Sequence, residues 1–310
     1  MRVFVAGGAG AIGRPLVAQL VARGHEVTAT TTGPAKLDLL AQLGADGVVM
    51  DGLDEVSVGE AVAKARPDAI VHEMTGLSVA HAGKPDMKHF DRWFATTNRL
   101  RTEGTDHLLA AAEAAGVSHL VAQSYSGWNG IRKGGWVKTE EDPLDLHAGT
   151  AAHAVFEAIR HVEDVVVKAG GAILRHGTLY GPGVLDNQVE LLRKRQFPLV
   201  GGGTGYCSWV HLDDAASAAV LAVEQKARGV FNIVDDEPAP ASTWLPYLAA
   251  RAGAKPPMRV PKSLARMLAG DVVVTMMTEG RGFSNAKAKR ELGWKPRYPS
   301  WRQGFKEVLA

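Results

Sequence analysis

Three glycines spaced three residues apart, Gly7, Gly10 and Gly13, follow directly on the apolar run Val3–Ala6 at the start of the chain. A short continuous apolar run predicts a buried strand, and Ile12–Val21 behind the glycines carries the apolar spacing of a helix. A strand, a glycine turn and a helix in that order form a phosphate-binding element. Gly7 permits the tight turn, Gly10 lets backbone approach a pyrophosphate, and Gly13 lets the helix pack on the strand. The free N–H groups of Ala11, Ile12 and Gly13 lie at the positive end of the helix dipole. The order predicts a bound dinucleotide; the plainer alternative is a glycine turn that serves packing alone.

The same alternation continues along the chain. Strands are expected at Val3–Ala6, Glu26–Thr30, Gly47–Met50, Asp68–His72, Val117–Gln123 and Ala172–Arg175. Helices are expected between them at Pro34–Leu43, at Ser57–Ala65 and over one long stretch from Met87 to Ala115. Regular β-α-β order implies right-handed crossovers, so the fold class is α/β with a doubly wound parallel sheet. Residues 1–178 form the dinucleotide-binding domain in this reading. Residues 179–310 form a smaller, mixed substrate-binding region, with 212–234 returning to the sheet. Its helices are expected at Leu212–Gln225, Ser242–Ala252, Ser263–Leu268 and Ala286–Leu292.

Composition removes several function classes. The 310 residues are 46% hydrophobic and 22% charged with a net charge of +2, and no dense run of Lys or Arg points to nucleic acid. The nearest to one, Lys287, Lys289 and Arg290, reads as a solvated helix face. The one cysteine, Cys207, excludes an internal disulfide framework. His147, His153 and His161 lack the i, i+4 spacing of a metal-binding helix face, so no metal is expected. No apolar run is long enough for a membrane span, and the first residues read as a core strand rather than a leader. The expected setting is cytoplasmic and the expected partner a small molecule.

Seven ordered pieces then identify a resemblance. They are Gly7-x-x-Gly10-x-x-Gly13, Asp51-Gly52-Leu53, Gly104-Thr105, Ser124, Arg175 with Tyr180-Gly-Pro-Gly183, Val210-His-Leu-Asp-Asp214, and Gly229–Val234 with Lys289–Trp294. Over nearly its whole length the chain resembles the extended short-chain dehydrogenases/reductases, the NAD-dependent epimerase/dehydratase family, whose sheet is a Rossmann fold. The resemblance implies that Gly7, Gly10 and Gly13 hold the pyrophosphate. It implies that Asp51, Gly52 and Leu53 flank the adenine, and that Met74 and Thr75 lie along the nicotinamide-side ribose. Relatives often dimerise through helices, and the stripe Val155, Ile159, Val162, Val166 is compatible with a homodimer or with packing on the sheet.

NAD binding usually rests on an acid at the end of the second strand. Here Val27–Gly33 carries none before Asp38, and Thr31, Thr32 and Lys36 leave a neutral to basic surface. That favours NADP(H), with NAD(H) as the alternative, although Thr31 and Thr32 stand where a phosphate-binding arginine is expected.

The family's chemistry needs a Tyr four residues before a Lys, on one helix face, with a Ser nearby. Ser124 fits the serine position. No tyrosine lies between Tyr125 and Tyr180 and no lysine between Lys138 and Lys168. Anchoring the helix on Glu163 puts Val155 and Ile159 at the two positions; anchoring on Glu157 puts Gly149 and His153 there. Ser124, Tyr125 and His153 are therefore the candidate catalytic residues, and Trp128, His176 and Tyr180 the candidate substrate contacts. Trp136 and Trp209 are further candidates for an apolar substrate wall. Two functions fit: an oxidoreductase or epimerase/dehydratase-like enzyme acting on a small carbonyl, imine or hydroxyl compound with an unusual proton donor, or a dinucleotide sensor or scaffold without chemistry.

Overall fold

The computed structural model describes residues 1–78, 82–128, 132–144 and 152–310. Seven strands make one all-parallel sheet: β1 Arg2–Ala6, β2 Glu26–Thr31, β3 Asp46–Val49, β4 Ala69–His72, β5 Leu120–Tyr125, β6 Ala172–His176 and β7 Gly229–Ile233. Their spatial order is β3-β2-β1-β4-β5-β6-β7, so the winding reverses between β1 and β4. In open α/β sheets that reversal opens a crevice beyond the carboxyl ends of the strands, where ligands bind. β4 is buried at every residue, as a central strand covered on both faces must be.

The helices are α1 Gly13–Ala22, α2 Leu37–Gln42, α3 Glu55–Ala65, α4 Phe90–Trp93, α5 Ala95–Arg101, α6 Glu103–Ala114 and α7 His153–Lys168. They continue as α8 Asp186–Arg193, α9 Leu212–Glu224, α10 Ala241–Arg251, α11 Lys262–Glu279, α12 Ala286–Glu291 and α13 Trp301–Val308. Leu16, Val17 and Leu20 of α1 and the alanine-rich face of α9 cover one side of the sheet. Val58 and Val62 of α3, Leu108 of α6 and Val162 and Val166 of α7 cover the other. A second core gathers Trp209, Trp244, Trp301 and Phe305 between α8, α10, α11 and α13.

Two expectations change. The long helix from Met87 to Ala115 is three shorter ones, broken at Phe94 and Thr102. The Thr102 hydroxyl donates back to the carbonyls of Asn98 and Arg99 (3.0 and 3.3 Å), a competition with the helix ladder that bends helices. The short helix expected at Ser263–Leu268 instead runs to Glu279 across a kink at Gly270 (φ 85°), whose bare Cα passes the backbone of Met87 and Lys88. The stripe Val155, Ile159, Val162, Val166 is buried within the chain, so it packs inward. Among the described residues no helix is long and apolar enough to cross a membrane.

Candidate active site

The glycine turn is sterically fixed. A Cβ on Gly7 (φ +89°) would lie 2.7 Å from the Glu73 carbonyl oxygen, and one on Gly13 would lie 2.3 Å from the Gly7 oxygen. The Gly7 N–H donates to the Thr30 hydroxyl at 2.9 Å, which ties the turn to the end of β2. No side chain caps α1, and Gly10 and Ala11 are exposed at the tip while Ile12 and Gly13 are buried. At the end of β2, Thr31 is buried with its hydroxyl on the Gly33 carbonyl (3.3 Å), and Thr32 and Lys36 are exposed. Arg14, which the sequence reading passed over, is also exposed beside this tip.

Asp51, Gly52 and Leu53 are brought against Met74. Asp51 accepts from the Leu53 N–H at 2.9 Å, and a Cβ on Gly52 would meet the Met74 sulfur at 2.5 Å. Met74 is buried and Thr75 exposed. Both segments stand just past the carboxyl ends of their strands, β3 and β4.

Ser124 and Tyr125, neighbours on β5, point to opposite sides. The Ser124 hydroxyl donates to Glu163 Oε1 at 2.6 Å, and Arg175 clamps the same carboxylate through Nε and Nη2 (3.0 and 2.6 Å). All three are buried, so the Ser124 hydroxyl is committed to α7 rather than to the crevice. The Tyr125 hydroxyl pairs with that of Thr178 at 3.2 Å, and Thr178 in turn meets Cys207 Sγ. Burial pushes the Tyr125 phenol well above its ordinary acidity range, and the Cys207 thiol up to about 12. His153 is exposed at the first residue of α7. Val155 and Ile159, one turn apart on α7, are buried in an apolar group with Phe90 and Val272 against which Tyr125 and Phe94 pack.

The candidate substrate contacts separate. Trp128 ends a short 3-10 turn at Ser126–Trp128, and its side chain lies outside the described residues. His176 is 2% exposed, with Nε2 3.9 Å from Glu73 Oε1; neither side chain has a hydrogen-bond partner. Tyr180 is enclosed in the second core against Phe305 (ring centres 5.2 Å apart) and Trp209. Its place is within that packing. Trp209 lies in the same core, and Trp136 stacks on Tyr206 at 5.4 Å with Arg281 over its ring.

Two further groups escaped the sequence reading. Glu73 is a carboxylate that extends the all-buried β4, a signal present in the string Ile70-Val-His-Glu73. Arg101, the last residue of α5, is 5% exposed with Nε and Nη1 unpartnered. Nothing in its sequence neighbourhood separates it from an ordinary helix-surface arginine. Among the described residues no three His, Cys, Asp or Glu side chains gather to hold a metal.

A family model, the NAD dependent epimerase/dehydratase family, matches residues 3–234. The chain is 42% identical to a 3-diazoavenalumate denitrifying reductase of Streptomyces sp, covering 98% of this chain and 99% of that one. It is 28% identical to a 2-alkyl-3-oxoalkanoate reductase of Stenotrophomonas maltophilia, over 86% of this chain and 79% of that one. In fold it is similar to human epimerase family protein SDR39U1, solved with NADPH (TM-score 0.74, 20% identity, 100% and 99% covered). It is also similar to the UDP-glucose 4-epimerase of Thermotoga maritima (TM-score 0.77, 22% identity, 100% and 97% covered). The glycine turn at the winding reversal, the parallel sheet and these likenesses agree: the chain belongs to the NAD-dependent epimerase/dehydratase family.

Proposed function

We propose that the chain is an NADPH-dependent reductase that removes a diazo group from an aryl acid as N2. The observation that carries this is the apolar face of α7. With α7 anchored on Glu163, the positions of the family's tyrosine and lysine hold Val155 and Ile159, which are buried among hydrophobic side chains. Nearby, the Tyr125 phenol is held in its neutral form and bonded to Thr178. The site therefore offers hydride acceptors little help with a proton, a handicap of several kcal/mol for carbonyl reduction. An arenediazonium carbon needs none. A reduced nicotinamide, once bound, would supply the hydride: the C–N bond would break with its electron pair leaving on N2, and a C–H bond would take its place. Charge balances without a protein acid. The 42% identical relative, named for denitrifying a diazo acid, supports the same class.

The residues fit the dinucleotide. The uncapped first turn of α1, with Gly10 and Ala11 exposed at its tip, presents N–H donors to a pyrophosphate. Gly7 and Gly13 admit no side chain because a Cβ on either would strike backbone, so the tight turn and the close seating of α1 depend on them. Asp51, Gly52 and Leu53 border the adenine, and Met74 and Thr75 the ribose on the nicotinamide side. For the 2′-phosphate, β2 ends in Thr31 and Thr32 without a carboxylate, and Arg14 and Lys36 are the nearby exposed cations. Ser124 positions Glu163 and Arg175, and His153, exposed on the first turn of α7, stands outside the step.

The test is turnover of a stable diazo-phenol acid with NADPH deuterated at the transferable position. The expected product carries one deuterium at the carbon that bore nitrogen, with one NADPH consumed per N2. NADPH should be preferred over NADH at least tenfold in kcat/KM. Tight NADPH binding with no N2 release and no carbonyl turnover would return the chain to the sensor reading.

A further inference from the structure

Arg101 is a buried cation whose Nε and Nη1 the fold leaves without a hydrogen bond. Its guanidinium lies over the Phe94 ring, 5.9 Å from the centre, at the margin of the apolar group that holds Val155 and Ile159. Nε and Nη1 are shielded from solvent and bond to nothing. The carboxylate whose charge it senses, Glu163, is already filled by Arg175 on both oxygens and by Ser124 on one. Arg101 therefore feels Glu163 only at longer range, and among the described residues no acid is recorded within ion-pair distance of its guanidinium. Burial lowers its pKa from 12.5 to about 10, so the group stays charged at neutral pH. A buried charge left without hydrogen-bond partners is costly, and a folded protein retains one only when something else offsets that cost. Beyond the Phe94 ring, no side chain among the described residues is recorded as engaging Nε or Nη1, so the buried side of the fork is left open. A planar fork of N–H donors set at the end of an apolar wall matches a flat, anionic organic molecule.

We propose that Arg101 is the oxyanion-recognition residue of the substrate site, binding a carboxylate or phenolate oxygen of an aryl acid whose ring lies along Phe94 and the apolar face of α7. This rests on the reductase reading for the identity of the ring compound, and adds the anchor that orients it. An aryl diazonium acid carries such an oxygen. Pairing it with Arg101 fixes the ring by charge at one end, which leaves the carbon that loses nitrogen to be presented at the other.

The experiment measures binding of two unreactive probes, benzoate and 4-nitrophenolate, to the full chain saturated with NADPH, by calorimetry. At least one is expected to bind the wild type, and which one binds tells carboxylate from phenolate. Arg101→Met should weaken that probe at least tenfold, leave the NADPH Kd within twofold, and raise Tm by a few degrees because an unpaired buried charge is gone. Arg101→Lys, which keeps the charge and loses the fork, should recover part of the affinity. The proposal is overturned if neither probe binds the wild type, if the Met variant binds as the wild type does, or if the Met variant melts earlier. Neither probe carries a diazo group. Arg101-dependent binding without N2 release from a diazo acid would therefore sink the reaction and keep the site.

Discussion

Glu163 and Ser124, thirty-nine residues apart, meet at 2.6 Å beneath the carboxyl end of the sheet, with Arg175 closing the other side of the carboxylate. On the proposed reading this bond makes Ser124 a positioning residue. Ser124→Ala leaves Glu163 held by Arg175, so the expected loss is about 1–2 kcal/mol of stability. The kcat for a diazo acid should fall less than about tenfold, against the 10²–10⁴-fold expected when a proton-transferring group is removed. Urea melts and steady-state NADPH oxidation on one preparation decide it; a loss of a thousandfold with unchanged stability would restore a catalytic hydroxyl.

The same chemical change has opposite expected outcomes at two glycines, one in the glycine turn and one inside α3. A methyl on Gly13 would press into the Gly7 oxygen and the Gly8 backbone, atoms with nowhere to go. Gly13→Ala should cost about 1–3 kcal/mol or more, as overpacking does, and weaken NADPH binding. Gly59, inside α3 with open space where a Cβ would stand, should gain roughly 0.5–1 kcal/mol on Gly59→Ala. Denaturant midpoints and an NADPH titration of both variants provide the comparison.

His72 is a neutral link between β4 and α5. Its Nδ1 accepts from the Met74 N–H, and its Nε2–H donates to the Leu100 carbonyl at 3.2 Å. Burial, reinforced by the Arg101 charge and only partly offset by the Leu100 bond, lowers its pKa from 6.5 to about 4. The unfolded chain therefore takes up a proton below the ordinary histidine pKa while the native chain refuses it down to about 4. Stability from this group is complete above that range and falls on acidification, by up to about 3 kcal/mol. Urea melts across that window should show the slope, and His72→Asn should flatten it. An unchanged slope in the variant would remove His72 from the account.

Glu73 and His176 face each other at 3.9 Å with no other partner, both fully buried. Removing one leaves the other alone in a dry site, whereas removing both leaves only a packing problem. Glu73→Leu and His176→Leu should each destabilise by about 2–4 kcal/mol, and the double variant by less than the sum. Additive losses would mean that the two groups do not sense each other.

Much of the fold is legible in local pattern. Each main strand expected from apolar runs is present within a few residues, because a parallel sheet covered on both faces demands continuous apolar stretches. The failures are local competitions that periodicity does not register. Thr102 turns its hydroxyl back on the helix, and Gly270 lets α11 kink past Met87 and Lys88. The site divides the same way. The glycine spacing and the acid-free end of β2 can be read directly, since both act through backbone geometry and the charge of adjacent residues. Which way Ser124 faces cannot, because its partner is thirty-nine positions away.

The sequence by itself determined the doubly wound sheet, the glycine turn, and the lack on α7 of a tyrosine four residues before a lysine. All three depend on residue type at short spacing. Only the tertiary structure decided that Ser124 bonds to Glu163, that Tyr180 packs in the second core, and that Arg101 is buried with Nε and Nη1 unbonded. The physical reason is that a polar side chain's role follows from its burial and its partners, and packing supplies both from distant parts of the chain.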